Sequence, residues 1–417
     1  MALRYYVLGG AALLIWRLRY ELISGDFAFF EYFGRTALHR PGYGGGWHQL
    51  LHVYTDMPKM QIGPPPMLLA TPLMQLNGPH SNKYAVLLMM LAVVPCIWLA
   101  ERAARAWGAD RERTRPAALL LGAAVLPLWS DVALWYQHLD DILIIALTFG
   151  AVWAAGRDRW MLAAALIGTA TATKPWAIAL VPLLLAAPRA RRAPVMLMWI
   201  CAFAIWWVPF LLADSQTFVA LGSANVPVEP GSVYALFGIH GKAGTNLCQD
   251  SAHCLRSAYH WMRPVQFALS IAAGALAVRR RRLLAAPLVG LTVRVLLDSQ
   301  IWPYYGVGPV LMAGLWDLSK GRRFPRWALL VMVADYASVA IGSTTAQAIF
   351  RLVGGLVVLG WFLRPASPRP EVPAQRTDVE PERTTDAQGA SGSSGLLQPG
   401  VNHPAGGVDA FTRVLHS

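Results

Sequence analysis

The side chains that could do chemistry come in small groups set between long apolar runs. Asp26 precedes Phe27-Ala-Phe-Phe-Glu31, and Glu31 follows within that amphipathic stretch. A carboxylate at the edge of an apolar segment can take a proton from a hydroxyl group. The same stretch also suits a helix start, with Ser24 or Asp26 as N-cap and Glu31 in the following turn. On a helix these two carboxylates do not share a face well. That spacing favours one catalytic acid, Asp26, over a paired-acid mechanism.

His138, Asp140 and Asp141 fall in one short turn, Trp135-Tyr-Gln-His-Leu-Asp-Asp141. Such a group could bind a cation, hold an acceptor or pair with a lysine, or simply bound a helix. The spacing matches no metal-binding motif, and neither a metal nor a cofactor is expected. Lys174 ends the apolar block from Trp160 to Thr173, directly before Pro175-Trp176. A lysine there can snorkel, or it can clamp an anionic group such as a phosphate. Trp176 beside it is a belt aromatic or a stacking platform. Arg294 lies inside an apolar block, where a charge is costly and must point inward. It is a second anion partner, with His138 a third. Asp298, Trp302, Tyr304 and Tyr305 follow, a mixture that suits an interfacial belt or the recognition of sugar and phosphate.

These groups need elements to carry them. The chain has 417 residues, of which 55% are hydrophobic and 14% charged, with mean hydropathy +0.41. A soluble domain carries about 25% charged residues. Apolar blocks of about 18–20 residues predict an all-α, polytopic membrane protein. The net charge of +13 sits in short arginine clusters between the blocks. That placement marks cytoplasmic loops rather than a nucleic-acid surface. Spans are predicted near 4–22, 82–101, 116–135, 141–156, 159–174, 175–188, 193–212, 264–279, 283–299, 303–319, 325–343 and 346–363, about twelve in all, with both termini cytoplasmic. The turns that hold the residues above then share the extracytoplasmic side.

The first of these loops is long, Tyr20 to about Ser81. It contains a Gly-Pro-Pro-Pro run after Ile62, which suits a re-entrant or interfacial segment. Arg17 and Arg19, at the outer end of the first span, either snorkel or line a site. A later loop, Ala213 to Arg263, carries Cys248 and Cys254, a permitted disulfide outside the cytoplasm. Cys96 and Cys201 read as inert buried thiols. Asp335 and Arg351, in the late spans, read as a pair. A transmembrane domain over 1–364 and a disordered cytoplasmic tail over 365–417 complete the reading.

Gly25-Asp26-Phe27, the Gly63-Pro-Pro-Pro segment, His138-Leu-Asp-Asp141, Thr173-Lys-Pro-Trp176 and Trp302-Pro-Tyr-Tyr305, in that order, carry a resemblance. From about Tyr5 to Leu363 the chain resembles the GT-C superfamily of integral-membrane glycosyltransferases. It is most similar to the polyprenyl-phosphate-mannose-dependent mannosyltransferases of the DUF2029 kind. The resemblance implies transfer of a sugar, mannose or another hexose or pentose, from a polyprenyl-phosphate donor to a lipid or glycan acceptor. Transfer would occur with inversion, on the extracytoplasmic face of a bacterial inner membrane. It implies Asp26 as base, Lys174, His138 and Arg294 at the donor phosphate, and Glu31, Asp140, Asp141, Trp176, Asp298 and Tyr304 around the substrates. Many relatives pair two acids closely in the first loop, whereas Glu31 is offset here. The loop from 213 to 263 has no counterpart in the pattern. The rival class is a transporter or lipid-linked glycan flippase, which about twelve spans also suit.

Overall fold

The computed structural model describes residues 3–19, 27–37, 46–57, 60, 62–75, 81–217, 228–239 and 261–365, all within the compact unit Met1–Ala366. Asp26, Cys248, Cys254 and the tail beyond 365 lie outside these residues. The described residues form helices and no strand. In an apolar solvent each segment must satisfy its own backbone hydrogen bonds, and the helix does so within one segment.

The order is α1 Leu3–Arg19, α2 Phe27–Ala37, α3 Gly46–Leu51, α4 Val53–Asp56, α5 Pro64–Gln75, α6 Ser81–Leu91, α7 Val93–Ala106, α8 Arg111–Ser130, α9 Leu139–Ala155, α10 Trp160–Thr173, a 3₁₀ segment Pro175–Ala186, and α11 Arg192–Ala213. Then follow α12 Met262–Arg279, α13 Ala286–Leu296, α14 Val307–Ser319, α15 Arg326–Ala340 and α16 Thr344–Phe362. A helical element occupies every segment predicted as a span. Four stretches, Lys83–Ala106, Arg111–Trp135, Arg189–Ala213 and Thr344–Phe362, are long and apolar enough to cross a membrane.

Bonds between the turns show which helix ends lie together. Trp107 donates to the Val152 carbonyl at 3.0 Å, joining the end of α7 to the end of α9. Arg191 meets Asp158 at 2.7 Å, and Arg280 and Arg282 bond the carbonyls of Leu363 and Trp361. Arg4 pairs with Glu101, which Arg105 also reaches. The arginine-bearing turns thus gather at one end of the bundle, called here the basic end. Lys174, His138 and Arg294 lie at the other.

The outer faces of α11, α15 and α16 are apolar. Leu197, Ile205, Leu212, Val333 and Leu356 are all exposed. A belt of this kind would aggregate in water, and lipid is the solvent it fits. Cys201 sits on this exposed face of α11, while Cys96 is buried. The expectation that both thiols are buried is therefore corrected. A membrane helix can turn an apolar face to lipid, so hydropathy alone does not mark which residues reach the protein core.

The described parts of the first loop pack as helices. α2 buries Phe27, Phe30 and Phe33 on one face. Tyr54 of α4 packs its ring on Trp207 and Phe210 of α11, with centroids 5.0 and 5.4 Å away. Its hydroxyl donates to the Ile62 carbonyl at 3.0 Å. Thr55 and His52 reach the Asp214 carboxylate at 2.7 and 3.1 Å. These bonds hold that carboxyl below the usual carboxylate range, the Thr55 hydroxyl foremost. α5 is a helix of 12 residues, about 18 Å long and too short to cross a bilayer.

Candidate active site

The site begins with an antiparallel helix pair. α9 and α10 are joined by a tight turn at the basic end, where Asp158 adopts φ +60°. The first turn of α9 and the last turn of α10 must then meet at the other end. Asp140 and Asp141 lie in that first turn and Lys174 caps α10. Acids at a helix N-terminus and a cation at a C-terminus each complement the local dipole.

The Lys174 ammonium lies 2.7 Å from Asp140 Oδ2 and 3.1 Å from Asp141 Oδ2. Asp140 is wholly buried, so its charge depends on this partner. Trp176 donates its indole N–H to Asp141 Oδ1 at 3.2 Å. His138 Nδ1 lies 3.2 Å from Asp140 Oδ1 and 3.8 Å from Asp141 Oδ2. The two carboxylates are thus held from three sides. The pairing with Lys174 is present.

The Gly-Pro-Pro-Pro run positions Lys174 from behind. Gly63 N–H donates to the Thr173 carbonyl at 2.8 Å, satisfying one of the last carbonyls of α10. A Cβ on Gly63 would come within 1.7 Å of the Ala172 carbonyl oxygen, so only glycine allows this approach. The prolines that follow start α5, where a missing N–H costs nothing.

A second ion pair stands beside the first. Arg294 Nη2 lies 3.0 Å from Asp298 Oδ2, one helical turn on. The guanidinium carbon sits 4.0 Å from the centre of the Tyr305 ring and 5.4 Å from that of Trp176. Gln266 of α12 donates to the Arg294 carbonyl at 2.6 Å and to Asp298 at 3.3 Å. Trp176 therefore touches both ion pairs.

Aromatic residues wall the cluster. Tyr304 stacks on His138, with ring centroids 4.5 Å apart, and meets Tyr136 at the same distance. Trp302 packs edge-on against Tyr136 at 5.6 Å. The turn that aims these rings is unusual. α8 ends in a π-helical stretch, Asp131–Trp135, and such local irregularities are frequent at functional sites. Gln137 follows at φ +58°. It is fully buried, and its side-chain amide has no hydrogen-bond partner among the described residues. Both features store free energy at this turn.

Lys174, Trp176, Arg263, Gln266, Arg294, Asp298 and Tyr305 line one open cavity together with apolar Trp207, Met262, Phe267 and Leu297. Its empty volume, mouth included, is about 890 Å³. Cationic side chains beside an apolar wall suit an anion that carries a hydrophobic substituent.

The sequence model of glycosyltransferase family 87 matches residues 62–302, more than half of the chain. The chain belongs to this family. Family 87 enzymes are GT-C-type membrane glycosyltransferases. No curated protein and no solved structure matches the chain. Within the matched family 87 region lie Gly63, His138, Asp140, Asp141, Lys174, Trp176, Arg294 and Asp298. Lys174, Trp176, Arg294 and Asp298 line the cavity, His138, Asp140 and Asp141 are buried beside Lys174, and Gly63 bonds the carbonyl just before it.

Glu31, singled out in the sequence, lines none of the cavity above. Glu31 pairs with Arg35 one turn on along α2, so its carboxylate is already engaged. Asp26 lies outside the described residues of this family 87 chain. Asp335 and Arg351 line a common apolar cavity between α15 and α16 without forming an ion pair. The expected pairing is corrected, because their side chains enter that cavity from different helices and stop short of contact. Arg263, Gln266, Tyr136 and Gln137 were not foreseen as site residues. Tyr136 and Gln137 were within the turn already quoted. Arg263 and Gln266 follow the loop that has no counterpart in the pattern.

His138, Asp140 and Asp141 present ligand atoms within 4.8 Å of one another, a group that could hold a metal ion. The donor set is one that divalent cations accept. The Lys174 ammonium, however, already bridges the two carboxylates, and a metal would have to displace it.

Proposed function

We propose that this family 87 glycosyltransferase moves a hexosyl or pentosyl group, mannose foremost, from a polyprenyl phosphate to a lipid or glycan acceptor. The observation that carries the reading is the cavity lined by Lys174, Arg263 and Arg294 and floored by apolar side chains. A sugar phosphate esterified to a long lipid has that chemistry: a dispersed anion next to hydrocarbon. Lys174 has three N–H donors and the two carboxylates occupy two of them. The third is available to a phosphate oxygen.

In this reading the acceptor hydroxyl oxygen attacks the anomeric carbon from the face opposite the phosphate. The carbon–oxygen bond to phosphate breaks, and its electron pair stays on the phosphate. The proton of the acceptor hydroxyl passes to Asp26, and the anomeric configuration inverts. Charge that grows on the departing phosphate is stabilised by donors already in place. Lys174 and Arg294 supply them, with His138 as a third. Trp176 and Tyr305 fix the Arg294 plane. Asp140, Asp141 and Asp298 keep the cations from drifting, and Tyr304 bounds the sugar.

The twelve helical segments thread the bilayer with the basic end in the cytoplasm, in keeping with the positive-inside trend. The site then faces the extracytoplasmic side of a bacterial cell membrane. A transporter would place its ionisable residues near the bilayer midplane. Here they gather at one end, which favours transfer.

The test is incubation of purified full-length protein with a panel of labelled polyprenyl-phosphate sugars and membrane lipids, followed by identification of the product. A glycosylated lipid or glycan with inverted anomeric configuration is the expected result. Solute movement across vesicles without any sugar transfer would overturn the reading.

A further inference from the structure

A second cavity opens at the same end of the bundle, lined by Arg19, Ser130, Asp131, Leu134, Trp135, Tyr136 and Pro303. Its empty volume, open mouth included, is about 640 Å³. It belongs to neither ion pair described above. We infer that this cavity is the subsite for the sugar of a glycosylated acceptor, gripped by Asp131 and Arg19 against Trp135 and Tyr136. The inference rests on the transfer reading and adds the acceptor's chemical class to it.

The lining has the composition that carbohydrate requires. A carboxylate accepts hydrogen bonds from hydroxyl groups, often two vicinal ones at once. The Asp131 carboxylate is half-buried and accepts no hydrogen bond from any described residue. Arg19 donates to Ser130 Oγ at 3.0 Å, which leaves further N–H groups of its planar fork for sugar oxygens. The C–H face of a pyranose packs on aromatic rings. Trp135 is 45% exposed, so a large flat ring stands at the cavity rather than in the core. A phosphate would find Asp131 repulsive, and a bare hydrocarbon chain would leave Asp131 and Arg19 without partners.

The position relative to the first cavity supports the same conclusion. The turn Trp302–Tyr305 divides the two. Pro303 lines the acceptor cavity, and Tyr305 lines the donor cavity. Tyr136 lines the acceptor cavity and contacts Tyr304, which in turn covers His138. A displacement needs its two substrates on opposite sides of the reacting carbon, and this partition provides two such chambers. The π-helical stretch at Asp131 to Trp135 also gains a purpose. In a continuous α-helix these residues would point along a different face.

Two measurements on the full-length protein in nanodiscs test the proposal. The first needs no donor. Saturation-transfer NMR with methyl α-mannopyranoside and methyl α-glucopyranoside should show contact for at least one glycoside. Asp131→Asn and Trp135→Ala should abolish it, Trp135→Phe should restore most of it, and Arg294→Lys should leave it intact. Equal signals in the wild type and both disabling variants, or no signal for either glycoside, would overturn the subsite. The second is kinetic. Asp131→Asn should raise the acceptor KM about tenfold or more, the loss expected for a hydrogen bond to a charged group, with donor KM unchanged. An unchanged acceptor KM in a wild-type-stable variant would refute the subsite while leaving the transfer reading standing. Glycoside binding that depends on Asp131, in a protein that uses no polyprenyl-phosphate donor, would instead refute the donor reading and keep the subsite.

Discussion

The Lys174 ammonium sits 2.7 Å from a carboxylate oxygen of Asp140 and 3.1 Å from one of Asp141, 33 positions earlier in the chain, and they meet because α9 and α10 are antiparallel. Asp140 is fully buried, so the pair is both a structural fixture and the anchor of a free donor. The two roles separate by mutation. Lys174→Ala strands a buried carboxylate and should cost about 3–5 kcal/mol of stability, seen as a fall in melting temperature. The double variant Lys174→Met with Asp140→Leu should recover much of that stability, since replacing a buried pair by apolar side chains is often neutral. It should still fail to use donor. Recovery of donor use along with stability would remove Lys174 from phosphate binding.

Arg294 depends on shape as well as charge. Its guanidinium carbon lies 4.0 Å from the centre of the Tyr305 ring while the group reaches Asp298 at 3.0 Å. Arg294→Lys keeps the charge and loses the guanidinium–ring contact and the fork. Donor KM should rise about tenfold, equivalent to about 1.4 kcal/mol, with little change in melting temperature. Steady-state kinetics over a range of donor concentrations gives the answer.

Gly63 offers a stability test away from any substrate. An added Cβ would fall 1.7 Å from a backbone oxygen of α10, which no rotamer change can relieve. Gly63→Ala should lower the yield of folded protein sharply and, in whatever folds, displace Lys174. Ala172→Gly would not rescue it, because the clash is with the backbone carbonyl. Normal expression and activity of Gly63→Ala would show that the Gly63-to-Thr173 bond is dispensable.

Asp26→Asn should leave expression and melting temperature unchanged and reduce sugar transfer by about 10²–10⁴-fold, the usual contribution of a general base. Labelled donor and thin-layer separation of products suffice to read it. Activity near the wild-type level would reassign the base.

Chelation separates the lysine from a metal. With Lys174 as the cation between Asp140 and Asp141, transfer should persist after treatment with EDTA and dialysis. Loss of activity that returns on addition of a divalent cation would place a metal on His138, Asp140 and Asp141 instead.

The helical architecture was legible because a membrane segment must be apolar along its whole length, and no neighbour is needed to reveal that. Lys174, Asp140, Asp141 and Arg294 were legible for the converse reason, since a charge in an apolar block has to find a partner. Which partner it finds was not legible. Arg294 meets Trp176 across 118 positions of chain through the packing of the 3₁₀ segment against α13. Glu31 pairs with Arg35 one turn away, a partner that the i,i+4 spacing itself offers. The π-helical end of α8 has no sequence signal, because its register depends on what α8 packs against. Cys201 illustrates the limit of hydropathy in a membrane protein, where core and lipid demand the same side chains.

The bond from Gly63 N–H to the Thr173 carbonyl joins two backbone atoms. No side-chain atom takes part in it, and at position 63 glycine is the only residue that fits. The distance from the first loop to the lysine is therefore hard-wired. Diversification of such an enzyme has to proceed around that fixed strut, through rim positions such as Arg19 and Trp135, so a change of acceptor need not disturb the grip on the donor.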